Sequence, residues 1–291
     1  MAVFVIRGAR GTMPICGEAH LRYGGNTTCF SVRTPQGIIV FDAGTGICNV
    51  ARDMESNPST GAITLFFTHF HMDHLMGLPC FRPIHDPDAS LRLLGDPRRV
   101  SNWKDDLRAF VREPFWPVGL HESQARLALE DLPVEDGALD VYGCRIAWMR
   151  VPHPQQCLSY RVEMPGASVI VATDMEMPVA DIGPAFVDFC QGADYLIMDA
   201  QYTPSEYATH RGWGHSTWEA ATLVAREAGV GELVLTHHAP SRTDDEIDAI
   251  VEAAGEVFTP TTAAADNRVL VGTLENDQPA GPVDPRVAER D

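Results

Sequence analysis

The stretch Thr68-His69-Phe70-His71-Met72-Asp73-His74 places three histidines and an aspartate within six residues. It follows the apolar run Ala62-Ile63-Thr64-Leu65-Phe66-Phe67, whose β-branched and aromatic residues predict a short buried strand. A strand holds its end rigidly, so the side chains just beyond it can turn toward one point. Neutral imidazole is the commonest protein ligand of zinc-class metals, and a carboxylate adds a hard oxygen donor. The stretch therefore predicts a metal site at the end of a strand.

The composition is typical of a soluble globular protein, since 45% of the 291 residues are hydrophobic and 21% are charged. No apolar run approaches the roughly 18 residues of a membrane-spanning helix, and residues 1–7 lack the basic region of a signal peptide. The seven cysteines are scattered without a CxxC motif, which predicts reduced thiols and not a disulfide framework. We therefore expect a cytoplasmic protein that does not enter a membrane.

The charge balance constrains the partners of the protein. It has 22 basic and 40 acidic residues, which gives a formal net charge of −18. A surface this negative repels polyanions, so extensive contact with long DNA or RNA is disfavoured. A small anionic substrate remains compatible, because bound divalent cations dominate the electric field inside a pocket.

Strand and helix patterns follow one another along the chain without a linker or an internal repeat. The predicted strands are 3–6, 29–33, 37–42, 62–67, 90–95, 145–150, 158–163, 168–172, 195–199, 232–236 and 268–271. The predicted helices are 47–55, 101–112, 179–190, 217–228 and 244–254. The aromatic segment 113–118 is predicted to be extended, either as part of the core or as a wall of a binding pocket. We expect one domain over residues 1–275, followed by a disordered Pro-rich tail at 276–291.

Further candidate metal-ligating residues lie just past other predicted strands. With the opening stretch they form a set of seven donors: His69, His71, Asp73, His74, His153, Asp174 and His237. Three histidines with a carboxylate suit one metal ion, and Asp73, His74 and His237 with the same carboxylate suit a second; Asp174 is the natural bridge. Two cations about 3.5–4 Å apart hold a hydroxide between them and clamp the oxygens of an in-line displacement. The donor types favour zinc and also tolerate manganese or iron.

Some of these assignments compete with ordinary structural roles. Taken singly, His153 or His237 would more often be a hydrogen-bonded structural histidine than a ligand. In the pair at 237 and 238, His237 is assigned because it directly follows the strand. Asp42, which ends a strand in the sequence Asp42-Ala43-Gly44-Thr45-Gly46, is expected to orient a ligand through a hydrogen bond. Surface positions are assigned to the histidines without such context: His20, His85, His121 and His210.

From Val3 to about Gly272 the chain resembles the metallo-β-lactamase-fold hydrolases, because these motifs occur in the order of that family. It is most similar to the subgroup of tRNase Z and the phosphoribosyl 1,2-cyclic phosphate phosphodiesterases. The shared features are the Gly24-Gly25-Asn26-Thr27 turn, the His153-Pro154 pair and the Gly214-His215-Ser216-Thr217 stretch. The resemblance implies an α/β (α+β) fold, a four-layer αββα sandwich with a dinuclear metal site at the edge of the two sheets. Gln155, Gln156 and Cys157 depart from the small residues common at that place in the family, which alters the expected pocket mouth.

His215 bears on the class of reaction. In the resembling phosphodiesterases a histidine of this loop faces the scissile phosphate, so it would donate a proton to the leaving alkoxide or stabilise charge on phosphoryl oxygens. A helix-capping histidine is the alternative. Asp73 is expected to bind metal and to orient the attacking hydroxide. The predicted reaction is hydrolysis of a phosphodiester by a metal-bridging hydroxide, with Asp73 and His215 as catalytic residues.

The predicted substrate is small. The tRNA-processing relatives carry a long basic, Gly-rich arm, and this sequence has no such insertion. Together with the net charge, this favours a small cyclic phosphate or nucleotide-like diester over tRNA. The arginines considered for a second phosphate or a sugar are Arg10, Arg22, Arg211 and Arg242. By analogy with the relatives, we expect a homodimer.

Two other functions stay open at this point. The same site could hydrolyse a lactone, a thioester, a β-lactam or another carboxylic ester, because a bridging hydroxide also attacks carbonyl carbon; His215 favours phosphorus. A non-catalytic ligand-binding protein is the second alternative, but such proteins usually lose metal ligands and all seven donors are present here. A redox diiron role is disfavoured, since that branch of the family typically has a glutamate where His71 stands.

Overall fold

The structure is a computed structural model that describes residues 1–56, 62–98, 102–134 and 137–273. The last two residues of the expected domain and the expected tail at 276–291 lie outside these ranges. Within them, no helix combines the length and the apolar character needed to cross a membrane.

The described residues form two seven-stranded mixed sheets. In spatial order, the first contains β14 (Arg268–Val271), β1 (Val3–Gly8), β2 (Cys29–Thr34), β3 (Gly37–Phe41), β4 (Ala62–Phe66), β5 (Ser90–Gly95) and β6 (Arg126–Asp131). The second contains β13 (Thr261–Ala263), β12 (Glu232–Thr236), β11 (Tyr195–Asp199), β10 (Ala167–Ala172), β9 (Cys157–Met164), β8 (Cys144–Val151) and β7 (Ala138–Val141). Strands β3 to β6 are parallel, as are β10 to β13, and the other neighbours are antiparallel.

Helices cover the outer faces of both sheets, so that the molecule has four layers. They are α1 (Ile47–Ser56), α2 (Trp103–Phe110), α3 (Pro184–Cys190), α4 (Pro204–His210), α5 (Trp218–Ala228) and α6 (Asp244–Gly255). Helix α1 contacts β1 and β2, whereas α5 contacts β11 and β12. Between the sheets, buried side chains such as Phe41 and Phe66 of the first sheet pack against Tyr160 and Trp148 of the second. The predicted αββα sandwich is confirmed.

A buried hydrogen bond ties the two sheets together next to the histidine-rich stretch. The hydroxyl of Tyr160, on β9, donates to the backbone carbonyl of Phe67 at 2.6 Å, just beyond β4. Both residues are buried. The replacement Tyr160→Phe is expected to cost about 1–3 kcal/mol of unfolding free energy, because it leaves a buried carbonyl without its donor. Urea unfolding measures this change.

The matched control is Tyr195→Phe, at a half-buried position on β11. It should change the unfolding free energy by less than about 0.5 kcal/mol. An equal loss in both variants would contradict a specific role for the Tyr160 bond.

The structure shortens two predicted helices. The helix predicted at 179–190 begins only at Pro184, with Gly183 as its N-cap, because proline is favoured in the first turn and does not fit the interior of a helix. The helix predicted at 101–112 spans Trp103–Phe110. The N-cap of α5 is Thr217, whose side chain accepts a hydrogen bond from the Ala220 amide at 3.2 Å.

The prediction of an extended segment at 113–118 is wrong. The backbone there forms turns and bends, since Pro114 and Pro117 cannot donate to a β-ladder. Phe115 is 74% exposed, whereas Trp116 packs partly buried against the outer core of the first sheet. Strands β6, β7 and β13 and helix α4 were not predicted; they are three to seven residues long, too short for a clear periodicity.

Candidate metal centre

The predicted metal ligands come together at one edge of the sandwich. Strand β4 is followed by the histidine-rich stretch, β8 by His153, β10 by Asp174 and β12 by His237. Because β10 and β12 are parallel to β11 and β8 runs in the same direction, their carboxyl ends meet at the same edge of the second sheet. The end of β4 in the first sheet faces them, so residues up to 164 positions apart, Asp73 and His237, become neighbours.

A first cluster consists of His69, His71, His153 and Asp174. One potential ligand atom from each lies within 4.8 Å of all the others. The Nε2 atom of His153 is 3.3 Å from Nδ1 of His71, and Oδ1 of Asp174 is 3.7 Å from Nε2 of His69. Tetrahedral zinc has Zn–N distances of about 2.0–2.1 Å, which sets its ligand atoms roughly 3.4 Å apart. The spacing of this cluster fits such an ion.

A second cluster contains Asp73, His74 and His237, and it shares Asp174 with the first. Oδ2 of Asp73 lies 3.4 Å from Nε2 of His74 and 3.8 Å from Nε2 of His237. Oδ2 of Asp174 lies 3.1 Å from Nε2 of His74. The two oxygens of Asp174 therefore face different clusters, which is the geometry of a bridging carboxylate.

The state of the buried nitrogens fits a divalent cation. Nε2 of His69 is buried and makes no hydrogen bond within the described part of the chain. Such an unpartnered polar atom is costly unless a further group binds it. Burial, together with the neighbouring His74, holds the pKa of His69 well below its usual value, and burial with His153 lowers the pKa of His71 to about 4. These imidazoles are therefore neutral, which is the form that binds metal.

Backbone strain is concentrated at the same edge. Asp42, Asp174 and His237 have φ angles of 61°, 52° and 59°, in the left-handed region that side-chain-bearing residues seldom adopt. Each lies one or two residues beyond the end of a strand. Such conformations cost about 1–3 kcal/mol and persist where the surrounding structure imposes them, often at functional sites.

Asp42 has the orienting role that its position predicts. Its Oδ2 lies 2.8 Å from Nδ1 of His74, which leaves Nε2 of that ring directed at the second cluster. The Thr68 amide and hydroxyl donate to the two Asp42 oxygens at 2.8 and 2.7 Å. A carboxylate that is itself fixed in this way fixes the ring of the histidine it contacts.

His153 is held by the loop that precedes α5. Its Nδ1 lies 3.0 Å from the Gly214 carbonyl oxygen, so Nε2 faces the first cluster. Gly214 has φ of 91°, and a Cβ atom there would lie 2.3 Å from Nδ1 of His153; only glycine fits. Glu176 fixes the loop by accepting hydrogen bonds from the Gly214 amide at 2.9 Å and the Gly212 amide at 2.8 Å. Its carboxylate also accepts from the Tyr207 hydroxyl at 2.8 Å.

His215 lies beside both clusters and pairs with Asp199. Its Nδ1 is 2.7 Å from Oδ2 of Asp199 and 4.0 Å from Oδ1 of Asp174, and its ring stacks on that of His237 at 4.7 Å. Burial opposes the charged form, but the Asp199 carboxylate outweighs it and raises the pKa of His215 to about 9. The contact with Asp199 holds Nδ1 and leaves Nε2 available, and Asp199, His215 and His237 form a third group whose potential ligand atoms lie within 4.8 Å of one another.

Two of these residues, Asp199 and Glu176, were not assigned a role from the sequence. Asp199 carries the same signal as Asp174, a carboxylate at the carboxyl end of a buried strand, and this signal could have found it. Glu176 has no such signal, because its bonds go to a loop about 36 residues further along the chain.

The four arginines considered for a second phosphate are mostly engaged within the protein. Arg10 is fully buried and donates to backbone carbonyls, and Arg22 pairs with three aspartates of α6. Arg242 pairs with Glu206 at 2.6 Å. Arg211 is exposed over a tyrosine ring.

The remaining histidines divide into two groups. His85 and His121 are exposed, as predicted, whereas His20 and His210 are half-buried, and His210 stacks on the ring of Tyr202. His238 points away from both clusters, with Nε2 at 3.0 Å from the Ala264 carbonyl oxygen. All seven cysteines are free thiols, four of them buried.

Comparisons with known proteins place this architecture in a family. Residues 38–238 match the model of the beta-lactamase superfamily domain. The chain is 26% identical over 286 residues to ribonuclease BN of Escherichia coli O7:K1, covering 81% of this chain and 90% of the relative. Among solved structures it is similar to the metallo-beta-lactamase fold protein YhfI of Bacillus subtilis (TM-score 0.71, 17% identity, 92% and 98% of the two chains). It is also similar to a diphosphatase of the PhnP family (TM-score 0.67, 18%, 94% and 99%) and to the short form of human tRNase Z (TM-score 0.65, 20%, 94% and 100%).

The family match covers more than two thirds of the chain and includes the histidine-rich stretch, His153, Asp174 and His237. The two His/Asp clusters lie within this matched region and suit divalent metal. The chain therefore belongs to the beta-lactamase superfamily and is a metal-dependent hydrolase with the metallo-β-lactamase fold.

Proposed function

We propose that the protein is a phosphodiesterase that hydrolyses a small, cyclic or nucleotide-like, phosphodiester. The observation that carries the proposal is the placement of His215, held through Nδ1 by Asp199 and 4.0 Å from the carboxylate that both clusters share. Its other nitrogen is then free to donate a hydrogen bond toward a substrate. A cationic donor at this position suits the negative oxygens on phosphorus and a leaving alkoxide.

The proposed cofactors are two divalent cations. Zinc is the favoured metal at both clusters, and manganese is the alternative. One would be held by His69, His71, His153 and Asp174, and the other by Asp73, His74, His237 and Asp174. When bound, such cations neutralise charge on phosphoryl oxygens and lower the pKa of water at the site. The chain contributes the neutral imidazoles of His69 and His71, the orienting contacts of Asp42 and Gly214, and the Asp174 carboxylate, whose two oxygens face different clusters.

Asp73 and His215 are proposed to move the protons. Oδ2 of Asp73 accepts a hydrogen bond from the Thr12 amide at 2.7 Å, which fixes the carboxylate at the second cluster. From there it orients the water that attacks phosphorus and accepts a proton from it. His215 supplies the proton that the leaving oxygen requires.

The names of the relatives and the charge of the chain together suggest the substrate class. Ribonuclease BN, tRNase Z and a diphosphatase are all named for chemistry at phosphorus. The 40 acidic against 22 basic residues disfavour a long RNA, whose binding depends on many cationic contacts. A small diester satisfies both observations, and it needs no large basic surface.

A pair of chromogenic esters tests the proposal. With zinc or manganese added, bis-p-nitrophenyl phosphate should be hydrolysed well above the metal-only background, and p-nitrophenyl acetate much more slowly. If the acetate were hydrolysed well and the phosphate not at all, the proposal would be wrong, and the enzyme would attack carbonyl carbon instead of phosphorus. Cyclic nucleotides and cyclic sugar phosphates then define the natural class, and a tRNA precursor cleaved more efficiently than any of them would make the enzyme a nuclease.

The clamp formed by Glu176 gives a separate prediction. Glutamine at this position has one acceptor oxygen, so Glu176→Gln cannot accept from Tyr207, Gly212 and Gly214 together. The freed loop no longer holds His153 and His215 in place. We expect kcat to fall by about 10–100-fold, which is typical for residues that orient a metal ligand.

Tyr207→Phe is the matched control, because it removes one donor and leaves both amide bonds to Glu176 intact. It should keep nearly full turnover. Hydrogen exchange of the Gly214 amide in the metal-free protein should accelerate in Glu176→Gln alone. Unchanged exchange and turnover in that variant would remove the clamp from the mechanism.

A further inference from the structure

A cavity of about 690 Å³ opens directly beside the first cluster. Its inner wall is apolar and includes Met149, Val151, Met177 and Phe186. The last three are buried members of the outer core of the second sheet, and Met149 packs against that core. The wall is therefore a fixed surface of the fold. Its volume lies within the roughly 300–1,000 Å³ of small-molecule sites.

The charged groups at this cavity are unsuited to an anion. Glu176 lines it and is already held by the loop amides, and the exposed Asp181 lies at its rim. Arg150 also lines the cavity, but its Nε and Nη2 atoms pair with Asp96 at 2.9 and 2.8 Å. The carboxylates therefore disfavour an anionic group here, and the apolar wall favours an uncharged one.

His153 connects the cavity to the metal centre. The residue lines the cavity, and its ring also packs against His69 at 4.7 Å and His71 at 5.0 Å. The carbonyl of Gly214 holds the ring in that position. Among the candidate metal ligands of the described residues, His153 is the one that also lines the cavity, so this residue is where an ester group of a substrate bound at the clusters would meet it.

We propose that this cavity binds an uncharged aromatic ester group of the phosphodiester substrate, of the size of a naphthyl group or a nucleoside. The inference rests on the proposed phosphodiesterase activity and adds the part of the substrate that decides its selectivity. The metal clusters bind the phosphate, and the apolar wall selects the diester by burying its aromatic group. A second anionic group on the same ester is rejected by Glu176 and Asp181.

The variant Gly183→Phe tests the proposal by filling the cavity. Gly183 lines it, has an ordinary φ of −61°, and a Cβ atom added there meets nothing within 4 Å. Gly255→Phe, at the end of α6, is the matched control, since a Cβ there is equally open and the position does not line the cavity. Two diesters with the same leaving group are compared, methyl p-nitrophenyl phosphate and naphthyl p-nitrophenyl phosphate.

We expect kcat/KM of the native protein to be at least about tenfold higher for the naphthyl diester, since a buried aromatic group contributes over 1.4 kcal/mol. In Gly183→Phe this preference should vanish through loss of naphthyl turnover, while the methyl diester stays within about twofold. Gly255→Phe should behave as the native protein. Equal preference in native protein and Gly183→Phe would overturn the assignment.

A binding experiment without turnover separates this inference from the proposed function. Naphthol should bind the metal-free protein, as followed by its fluorescence, and naphthoate at least fivefold more weakly; Gly183→Phe should abolish naphthol binding. Naphthol binding that survives the filled cavity overturns the site. If neither diester is hydrolysed yet naphthol binds as expected, the phosphodiesterase proposal fails and the cavity assignment for an uncharged aromatic group stands.

Discussion

Asp174→Asn is expected to remove metal from both clusters and to lower phosphodiesterase turnover by more than about 100-fold, the upper range for residues that only orient a ligand. The reason is that the two carboxylate oxygens face different clusters, at 3.7 Å from His69 and 3.1 Å from His74. Burial disfavours the ionised form, but electrostatic interactions with His237 and His74 hold the pKa of Asp174 well below its usual range. The loss of this negative charge removes the attraction for both cations at once.

Asparagine is chosen because the backbone at position 174 has φ of 52°, and asparagine adopts this conformation as readily as aspartate. The variant should therefore fold, which the circular dichroism and melting temperature of the metal-free protein check. Metal content is measured after dialysis by elemental analysis. His71→Ala is the comparison for a ligand of one cluster. Because His71 belongs to the first cluster alone, this variant should lose one equivalent of metal and most activity. Full metal content in Asp174→Asn would contradict a bridging role.

His215→Ala is expected to keep both metals and to lower kcat by about 10²–10⁴-fold, the usual contribution of a general acid or base. The size of the effect should depend on the leaving group. p-Nitrophenolate departs without being protonated, so kcat for its diesters should fall less in His215→Ala. An alkoxide leaving group requires a proton, so kcat for diesters with such a group should fall more. A kinetic comparison of these two substrate types, with metal content measured in parallel, checks both parts.

The control is Asp199→Asn, which keeps the imidazole but replaces the carboxylate 2.7 Å from its Nδ1. It removes the main cause of the raised His215 pKa, so turnover of alkyl diesters should fall while p-nitrophenyl diesters change less. An equal loss for both substrate types in His215→Ala would assign His215 to charge stabilisation on phosphoryl oxygens. Full activity with both metals bound would remove it from the mechanism.

The candidate site was largely predictable because its residues follow strands. Donors such as His69, His153 and His237 each come directly after an apolar strand pattern, and the carboxyl ends of parallel strands share an edge. The residues that support the site were harder to predict. Glu176 fixes the loop before α5 by accepting hydrogen bonds from the amides of Gly212 and Gly214. A local sequence pattern does not predict a hydrogen bond to a loop so far along the chain.

The segment at 113–118 shows the same limit for the fold. Its aromatic residues predicted a buried or pocket-lining element, yet Phe115 is exposed and only Trp116 packs on the core. Short elements such as β13 and α4 form because long-range contacts stabilise them. Segments of three and seven residues are too short to show a hydrophobic period that would predict them.

The sequence by itself determined which donors are present, in which order, and that each stands at the end of a strand; these are local properties of hydrophobic pattern and turn chemistry. Only the tertiary structure decided how they are used. In the folded protein the two oxygens of Asp174 face different clusters, His215 pairs with Asp199, and an apolar cavity lies beside His153. The physical reason is that distances between residues far apart in the chain are fixed by the packing of two sheets against one another, and one strand carries no information about the side chains facing it from the other sheet.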